Sequence, residues 1–461
     1  MVNCSPRPLS PLTDSKITEI YQSDRLLKSR AYLVTQPFPD VFNLFNVIDK
    51  RLHRVKRRLV GQGINDQAMR EFEPLMLGHI DTFVRELAKS CEGGNTTVDM
   101  TDRCRYLGLD IIGQLGFGTA LDLQTSSKNR FMLAGMDTSN FRSNLYMQFP
   151  MLKRVGMELL LYPFILTSQM AYYKKLRDLI VARRAEGKHA RRDLYSFVVD
   201  IKDPETGEGL RLRDIWSEAA FFVPAGGDTT STALTAAFFY LSRYPKCYKR
   251  LANEIRNTFT SGAEIRHGTK LSGCTYLRAC IDEAMRITPP IATTLWRQLP
   301  ESDNEQPLVV EGQVIPPGTE VGVNIYTMHH NEKHFPDSYC FKPERWLDES
   351  PERKKLMHDA FTPFSIGSRG CGGKAMAYQE ASIAIAKTFW YLDFERPAHD
   401  MKADRVGEIM QYGGKPELEA LDQFASVHRG PNLVFRLRDG ASDELFETEK
   451  LDYSTILDTH S

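Results

Sequence analysis

Residues 364–373 read FSIGSRGCGG, which sets one cysteine among four glycines. Glycine tolerates positive φ and lets the backbone approach another group closely, so this composition predicts a tight loop that presents the sulfur of Cys371 and several amide N–H groups. Arg369 and Phe364 stand two and seven residues before the cysteine. Backbone donors, a nearby cation and aromatic cover together favour a deprotonated thiol that can ligate another group. The loop is therefore predicted to hold a thiolate.

A single cysteine restricts the kind of site that the loop can form. A structural zinc site needs several N or S ligands, whereas one thiolate is enough for the axial position of a haem iron. Most lone cysteines are only small buried hydrophobes. Here, however, the order Phe-x-x-Gly-x-Arg-x-Cys-x-Gly resembles in full the haem-binding signature of the cytochrome P450 family. The resemblance implies haem of the b type (heme b), with Cys371 as iron ligand and Phe364 and Arg369 as haem contacts.

Composition sets broad limits on the protein. Its 461 residues are 42% hydrophobic, enough for a large core, and 59 basic residues balance 59 acidic ones. A net charge of zero gives no global field that would favour nucleic acid or an acidic partner. The eight cysteines are scattered without a Cys-x-x-Cys pair, which favours free thiols in a reducing compartment. No run of about twenty apolar residues predicts a transmembrane helix.

The N-terminal sequence predicts a shortened chain. Residues from Leu12 to Tyr32 resemble a stretch that lies well inside fungal microsomal members of the family, which begin with a membrane anchor and a Pro-rich hinge. The resemblance implies that the anchor is missing here, as in a truncated gene model. We therefore expect the endoplasmic reticulum membrane, on its cytosolic face, as the location if an anchor is restored, and the cytoplasm for the sequence as it stands.

A basic segment from Val47 to Val60 has apolar residues at helical spacing, which predicts an amphipathic helix. His53 and Arg57 are four residues apart and so share one helix face. By resemblance, Arg57 pairs with a haem propionate and His53 lies beside it. A charged helix face is most often simply solvated. The resemblance instead implies that the remaining basic residues point outward and dock an electron donor, NADPH-cytochrome P450 reductase, with cytochrome b5 as a second candidate.

The longest helical pattern runs from about Arg213 to Arg243, on the order of 45 Å at 1.5 Å per residue. Residues 225–230 in its middle read AGGDTT. Two glycines cost roughly 1–2 kcal/mol in a helix interior, and a Thr hydroxyl can divert a backbone carbonyl, so we expect a kinked or widened helix there. The segment resembles the family's oxygen-activation motif. By that resemblance, Asp228 and Thr229 are the acid and the alcohol that deliver protons to bound dioxygen.

Two further motifs concern structure and the haem edge. Glu283 and Arg286 lie on one face of a predicted helix, and such pairs alone are weak signals. Residues 343–346 read PERW, and the resemblance implies that Arg345 joins Glu283 and Arg286 in a buried structural triad. By the same resemblance, Arg297, in a predicted strand from Thr293 to Arg297, is a further arginine that binds a haem propionate.

These motifs extend the resemblance over about residues 12–438. It implies a fold that is mainly α with small β-sheets, the cytochrome P450 fold, in one haem-thiolate catalytic domain over residues 1–438. Residues 439–461 are acidic and are predicted to be a disordered tail. The implied activity is that of a monomeric monooxygenase that uses dioxygen and two electrons. A haem-thiolate isomerase, dehydratase or peroxygenase is the alternative, against which the retained Asp228-Thr229 pair weighs, and an inactive, truncated haem-binding chain is another.

The substrate is predicted only by class. Five largely apolar and aromatic segments are expected to form the pocket, so a hydrophobic small molecule is the predicted substrate. The sequence resembles filamentous-fungal enzymes of secondary metabolism, which is an analogy and names no compound. The predicted walls are Pro37 to Phe45, Phe149 to Met170, Phe221 to Ala225, Ile291 to Leu295 and Phe424 to Val427.

Overall fold

A computed structural model of the protein describes most of residues 14–446. The residues left undescribed within that range are 37, 92–95, 150, 153–155, 188–189, 191–192, 200–201, 203–206, 208, 210, 304–305, 311, 349, 399–410, 413–414 and 441–443. The first two residues of the stretch from Leu12 to Tyr32, part of the wall from Phe149 to Met170, and most of the predicted tail lie outside the described residues.

Helices make up most of the described chain, and the prediction of a mainly α fold with small sheets is confirmed. The α-helices are α1 Asp14–Tyr21, α2 Lys50–Gly61, α3 Asp66–Lys89, α4 Met100–Phe117, α5 Phe131–Gln148, α6 Met157–Ala185, α7 Leu194–Val198, α8 Leu212–Arg243, α9 Pro245–Thr258, α10 Thr269–Ser272, α11 Thr275–Ile287, α12 Ile325–His329, α13 Arg345–Asp348, α14 Pro351–Ala360 and α15 Lys374–Tyr391. None of the helices in the described ranges combines the length and the apolarity that crossing a bilayer requires.

The strands are short and pair antiparallel. One sheet has the order β1 (Leu27–Lys28), β3 (Arg297–Gln298), β6 (Glu320–Val321), and another has the order β2 (Val98–Asp99), β12 (Asn432–Leu437), β7 (Leu392–Glu395). The remaining described strands form three two-stranded pairs. The strand predicted from Thr293 to Arg297 is shorter than expected, since only Arg297 and Gln298 form it. The strands are β1 Leu27–Lys28, β2 Val98–Asp99, β3 Arg297–Gln298, β4 Leu308–Val310, β5 Gln313–Ile315, β6 Glu320–Val321, β7 Leu392–Glu395, β8 Gln411–Tyr412, β9 Lys415–Pro416, β10 Ala420–Gln423, β11 Ala425–His428 and β12 Asn432–Leu437.

Helix α8 crosses the centre of the protein and packs along α4. A Cβ atom added at Gly227 would lie 2.5 Å from Cδ2 of Leu109, and one at Gly226 would lie 2.8 Å from Cδ1 of Ile112. The two glycines therefore permit a close helix contact. Because α8 is α-helical without interruption through residues 225–230, it is not widened there, while the kink that was the other half of the expectation stays a prediction.

The main hydrophobic core joins α3, α4, α8, α11 and α15. Part of the predicted tail belongs to it: Leu445 is 2% exposed, and the Glu444 carboxylate accepts a hydrogen bond of 3.0 Å from the Tyr391 hydroxyl. Burial of an apolar side chain holds this short segment on the domain. Residues 444–446 are thus packed, in contrast to the disorder predicted for 439–461.

Candidate functional site

A cavity of about 1290 Å³ lies between the Cys371 loop and α8. Cys371 is part of its wall on one side, and Thr229 of α8 is part of its wall on the other. Pockets for single small ligands usually enclose roughly 300–1,000 Å³. The cavity is therefore large enough for a sizeable cofactor together with a substrate.

Backbone hydrogen bonds close the loop that carries the cysteine. The Cys371 amide donates to the carbonyl of Phe364 over 2.8 Å, and the Gly370 amide donates to the carbonyl of Gly367 over 3.0 Å. Gly367 has a φ of +75°, and a Cβ atom there would lie 2.2 Å from the carbonyl oxygen of Tyr21. This position therefore requires glycine both for its conformation and for its contact with α1.

Cys371 is exposed to the interior of the cavity, whose wall it helps to form. The protein around the cavity desolvates the thiol and raises its pKa, although the Gly373 amide, Arg57 and Lys374 act in the opposite direction. The direction of this shift disfavours a thiolate in the protein without a metal ion, and the predicted thiolate stays a prediction that concerns the ligated sulfur. A coordinated metal ion deprotonates a thiol outright.

Three predicted haem contacts converge at one edge of the cavity. Arg57, Arg297 and Arg369 all line it. The Arg369 guanidinium donates to the carbonyls of residues 47 and 48 over 2.6 and 2.8 Å, and Arg57 donates to the carbonyl of Gly370 over 2.8 Å. Burial and the charge of Arg297 lower the pKa of Arg369 to about 10. The guanidinium groups are therefore close enough to raise each other's electrostatic energy.

Lys28 is a fourth cation at this edge, and it was not predicted from the sequence. It lies directly opposite Arg297 in the pairing of β1 with β3. Its Nζ lies 4.0 Å from the ring centroid of Tyr32 and 3.8 Å from that of Phe45. Burial, Arg297 and Arg369 lower its pKa well below the ordinary value. Only the pairing of two strands 269 residues apart, from Lys28 to Arg297, shows this neighbourhood, so no local pattern could have revealed it.

His53 lies beside the same cations on α2. It is 6% exposed and contributes to the cavity wall. Burial, followed by Arg369 and Arg57, lowers its pKa to about 3, so the ring is neutral at physiological pH.

The cations at this edge lack a counter-charge from the protein. Lys28 and Arg297 are like charges opposite each other in a sheet, which is destabilising, and a buried cation needs a counter-charge. Among the described residues this edge has cations without a carboxylate to pair them, which fits a ligand that carries its own carboxylates.

The predicted acid and alcohol on α8 lie in different surroundings. Thr229 belongs to the cavity wall, and its hydroxyl donates to the carbonyl of Ala225 over 2.7 Å. The Asp228 carboxylate accepts from Arg105 of α4 over 3.1 Å and from the Asn140 side chain of α5 over 2.9 Å. Burial raises the pKa of Asp228, while Arg105 opposes that rise. Asp228 is thus held behind the wall, and Asn140 separates it from the cavity.

Glu380 is a second buried carboxylate near the cysteine that the sequence analysis did not select. It lies on α15, lines the cavity and is 2% exposed. Its Oε1 has no hydrogen-bond partner in the part of the chain that the structure describes. Burial raises its pKa to about 8, so the carboxyl is mostly protonated at neutral pH.

The structure brings together Glu283, Arg286 and Arg345 in the core. The Glu283 carboxylate accepts from Arg286 and from Arg345, each over 2.9 Å, and all three side chains are at most 2% exposed. It also accepts from the indole of Trp346 over 3.0 Å. Burial alone would raise the pKa of Glu283, but the two arginines hold it below its ordinary value.

Helix α2 differs from its prediction at one position. Arg51 and Arg54 are exposed as expected. Lys56 instead points inward, is 2% exposed and pairs with Glu218 of α8 over 3.1 Å. It lies three positions after His53 and therefore shares the buried face of the helix. The basic surface of α2 is smaller than the sequence suggested.

Most predicted walls contribute to the cavity. Phe38, Phe45, Phe221, Ile291 and Phe424 line it, while Pro37 lies outside the described residues. Two parts of the wall were not predicted: the part that α5 forms and most of the part from α6, which extends well beyond Met170. Neither helix has a distinct apolar face in its sequence, so nothing local shows which of its faces borders a cavity.

The chain is similar to known proteins of one family. A family model described as "Cytochrome P450" matches residues 19–413. A "Cytochrome P450 monooxygenase" from Gibberella zeae is 32% identical over 403 residues, covering 86% of this chain and 92% of the relative. "Cytochrome P450 monooxygenase apf7" from Gibberella fujikuroi is 31% identical over 466 residues, with 95% and 86% covered. "Cytochrome P450 monooxygenase lcsN" from Purpureocillium lilacinum is 34% identical over 343 residues, with 74% and 99% covered.

Proposed function

Since this chain belongs to the cytochrome P450 family, and is therefore an oxidoreductase, we propose that it is a haem-thiolate monooxygenase acting on a hydrophobic small molecule. The observation that carries the proposal is the convergence of one cysteine and four buried or half-buried cations on one cavity. A dicarboxylate cofactor with an iron that accepts a thiolate matches this set in both charge and ligand type.

The haem b site is part of the proposal, and each residue has a separate task in it. Cys371 supplies the sulfur ligand, Phe364 packs against Tyr378 of α15 and lines the cavity, and His53 lies beside the cations as a neutral group. The carboxylates of the cofactor are held by Arg57, Arg297, Arg369 and Lys28. When bound, the haem supplies the dioxygen chemistry, and the thiolate ligand favours cleavage of the O–O bond.

Protons reach the cavity through side chains of α8 and its neighbours. Thr229 places a hydroxyl at the wall facing the cysteine loop. Asp228 is a carboxylate whose proton affinity is raised by burial, and Arg105 and Asn140 fix its position. In this proposal Asp228 passes protons to Thr229 through water beside Asn140. The alternative haem-thiolate isomerase or dehydratase would not require this pair.

Electrons come from a separate redox protein. The family needs such a donor, and we assign NADPH-cytochrome P450 reductase to the exposed face of α2, where Arg51 and Arg54 lie, with cytochrome b5 as a second donor. The catalytic unit is residues 1–438, acting as a monomer at the cytosolic face of the endoplasmic reticulum. An apolar product of secondary metabolism is the proposed substrate type, in agreement with the aromatic wall formed by Phe45, Phe221 and Phe424.

The test is the carbon monoxide difference spectrum of the reduced protein. The wild type should give a red-shifted Soret band, and Cys371→Ala should lose that band while retaining helical circular dichroism. Addition of the reductase and NADPH should then produce NADPH consumption that depends on substrate. A folded wild-type protein that binds haem without the red-shifted band would contradict the proposal.

A further inference from the structure

The cavity wall carries an unbalanced charge. The whole chain has equal numbers of acidic and basic residues, yet among the residues that the structure describes nine lysines and arginines line the cavity against one acidic residue, Glu380. Four of the nine, with Lys28 among them, form the edge assigned above to the haem carboxylates. The other five are distributed over α5, α6 and the first turn of α8, and the haem does not account for them. They are Arg142, Lys174, Arg177, Arg184 and Arg213.

Helix α6 presents these cations in a regular pattern. The helix lines the cavity with residues 170–174, 177, 180, 181 and 184, and within this set Lys174, Arg177, Val181 and Arg184 follow one another at intervals of three and four, which places them on one face of the helix. Lys174, Arg177 and Arg184 are exposed, as is Arg213 across from them on α8. Arg177 pairs with Asp178 over 3.4 Å. Lys174, Arg184 and Arg213 make no ion pair with any residue that the structure describes.

Apolar side chains lie between the cations. Met170 is 63% exposed, Val181 is 62% exposed, and both line the cavity. Phe38 is 55% exposed, with its ring 5.5 Å from that of Trp216. We call these apolar residues, together with Lys174, Arg177, Arg184 and Arg213, the mouth of the cavity. A mouth of this kind offers both an apolar surface and a positive potential to a ligand.

We infer that the substrate is an amphipathic acid, whose apolar body extends toward Cys371 and whose carboxylate stays among the cations of the mouth. The inference rests on the proposed function and names the substrate class for the same cavity. The wall below the mouth includes the rings of Phe45, Phe221 and Phe424, and among the described residues Arg142 is the one lining cation outside both the mouth and the haem edge, so an apolar body fits there. A carboxylate at the mouth keeps its partial hydration and gains the attraction of Lys174, Arg184 and Arg213.

The test uses probes that ligate the iron and so need no knowledge of the natural substrate. Octanoic, decanoic and dodecanoic acids carrying a terminal imidazole are compared with their methyl esters, and binding is measured by the Soret shift of the ferric holoprotein. At low ionic strength the best acid should bind roughly tenfold more tightly than its ester. That preference should shrink as salt is added, because exposed charges are screened.

Charge variants locate the effect. Lys174→Gln/Arg184→Gln/Arg213→Gln should remove most of the preference for the acid and leave ester binding unchanged. The matched control Lys246→Gln/Lys249→Gln/Arg266→Gln removes the same charge from exposed positions outside the cavity wall and should keep the preference. Equal affinity for acid and ester at every chain length, no binding of either, or equal losses in the two triple variants would overturn the inference. The carbon monoxide band separates these outcomes from failure of the monooxygenase proposal.

Discussion

Two clusters of buried arginines lie in this protein, and they are neutralised in different ways. Arg286 and Arg345 share the carboxylate of Glu283, which accepts from each over 2.9 Å. Arg297 and Arg369 lie with Lys28 at the edge of the cavity, where burial lowers the pKa of each and the charge of Arg297 lowers the pKa of Arg369 and of Lys28 further. The first cluster is complete within the chain. The second requires charge from a ligand, and this difference separates a structural site from a binding site.

The largest loss of stability is expected at Glu283. Glu283→Gln would leave two guanidinium groups buried with a neutral partner, and breaking such a pair costs about 3–5 kcal/mol. Urea unfolding of the holoprotein, followed by far-UV circular dichroism and by the Soret band, should shift to lower urea with both probes together. The control is Glu264→Gln, which disturbs an exposed pair with Lys270 and should leave the urea midpoint nearly unchanged. A Glu283 variant as stable as this control would mean that the triad does not support the core.

At the cavity edge, the same measurement should separate the two probes. Arg297→Leu removes a charged donor from a ligand carboxylate, a loss of roughly 1.5–3 kcal/mol in haem binding. It also relieves the repulsion with Lys28 and Arg369, so the protein itself should lose little stability. The Soret band should therefore be lost at lower urea than the helical signal. If both probes shift together, Arg297 belongs with the structural cluster instead.

The residues of the two clusters also differ in how well their contacts could be predicted from the sequence. Phe364, Arg369 and Cys371 stand within eight residues, so one loop motif was enough to predict the haem-thiolate site. Helix periodicity places Arg286 on the same face as Glu283, whereas Arg345 was predicted as a partner only through the resemblance of residues 343–346 to the family's motif. The burial of Lys28 and Lys56 could not be predicted in this way, because their neighbours come from strands or helices far away in the chain. Their burial depends on tertiary packing, which local patterns do not encode.

Glu380 belongs to neither cluster. It is a buried carboxyl group whose Oε1 has no hydrogen-bond partner among the described residues. Its pKa of about 8 lies above the ordinary value of 4.5, so the native state keeps a proton that the unfolded state releases. Stability should therefore fall as pH rises between about 5 and 8, by about 1.4 kcal/mol per pH unit for this one group. Glu380→Gln should remove that part of the slope in urea unfolding measured at several pH values. An unchanged slope would mean that Glu380 is hydrogen-bonded and ionised in solution.

Lys28 gives the smallest and most selective effect. Its pKa is lowered without an anion beside it, and a haem carboxylate would raise it again, so haem binding should take up a proton at Lys28. Haem affinity should consequently fall as pH rises toward the ordinary lysine pKa. Lys28→Met should weaken this dependence, and Lys28→Arg should preserve tight binding.

At neutral pH the Lys28→Met change should weaken haem binding by no more than about 1 kcal/mol, because it also removes the like charge that faces Arg297 across the strands. The measurement is haem transfer to an excess of a scavenging globin at several pH values. Arg369, whose pKa is about 10, titrates in the same range, so part of the dependence should remain in Lys28→Met. A full dependence in that variant would assign the proton to Arg369 alone, and Lys28 would then be a neutral spacer in the cluster.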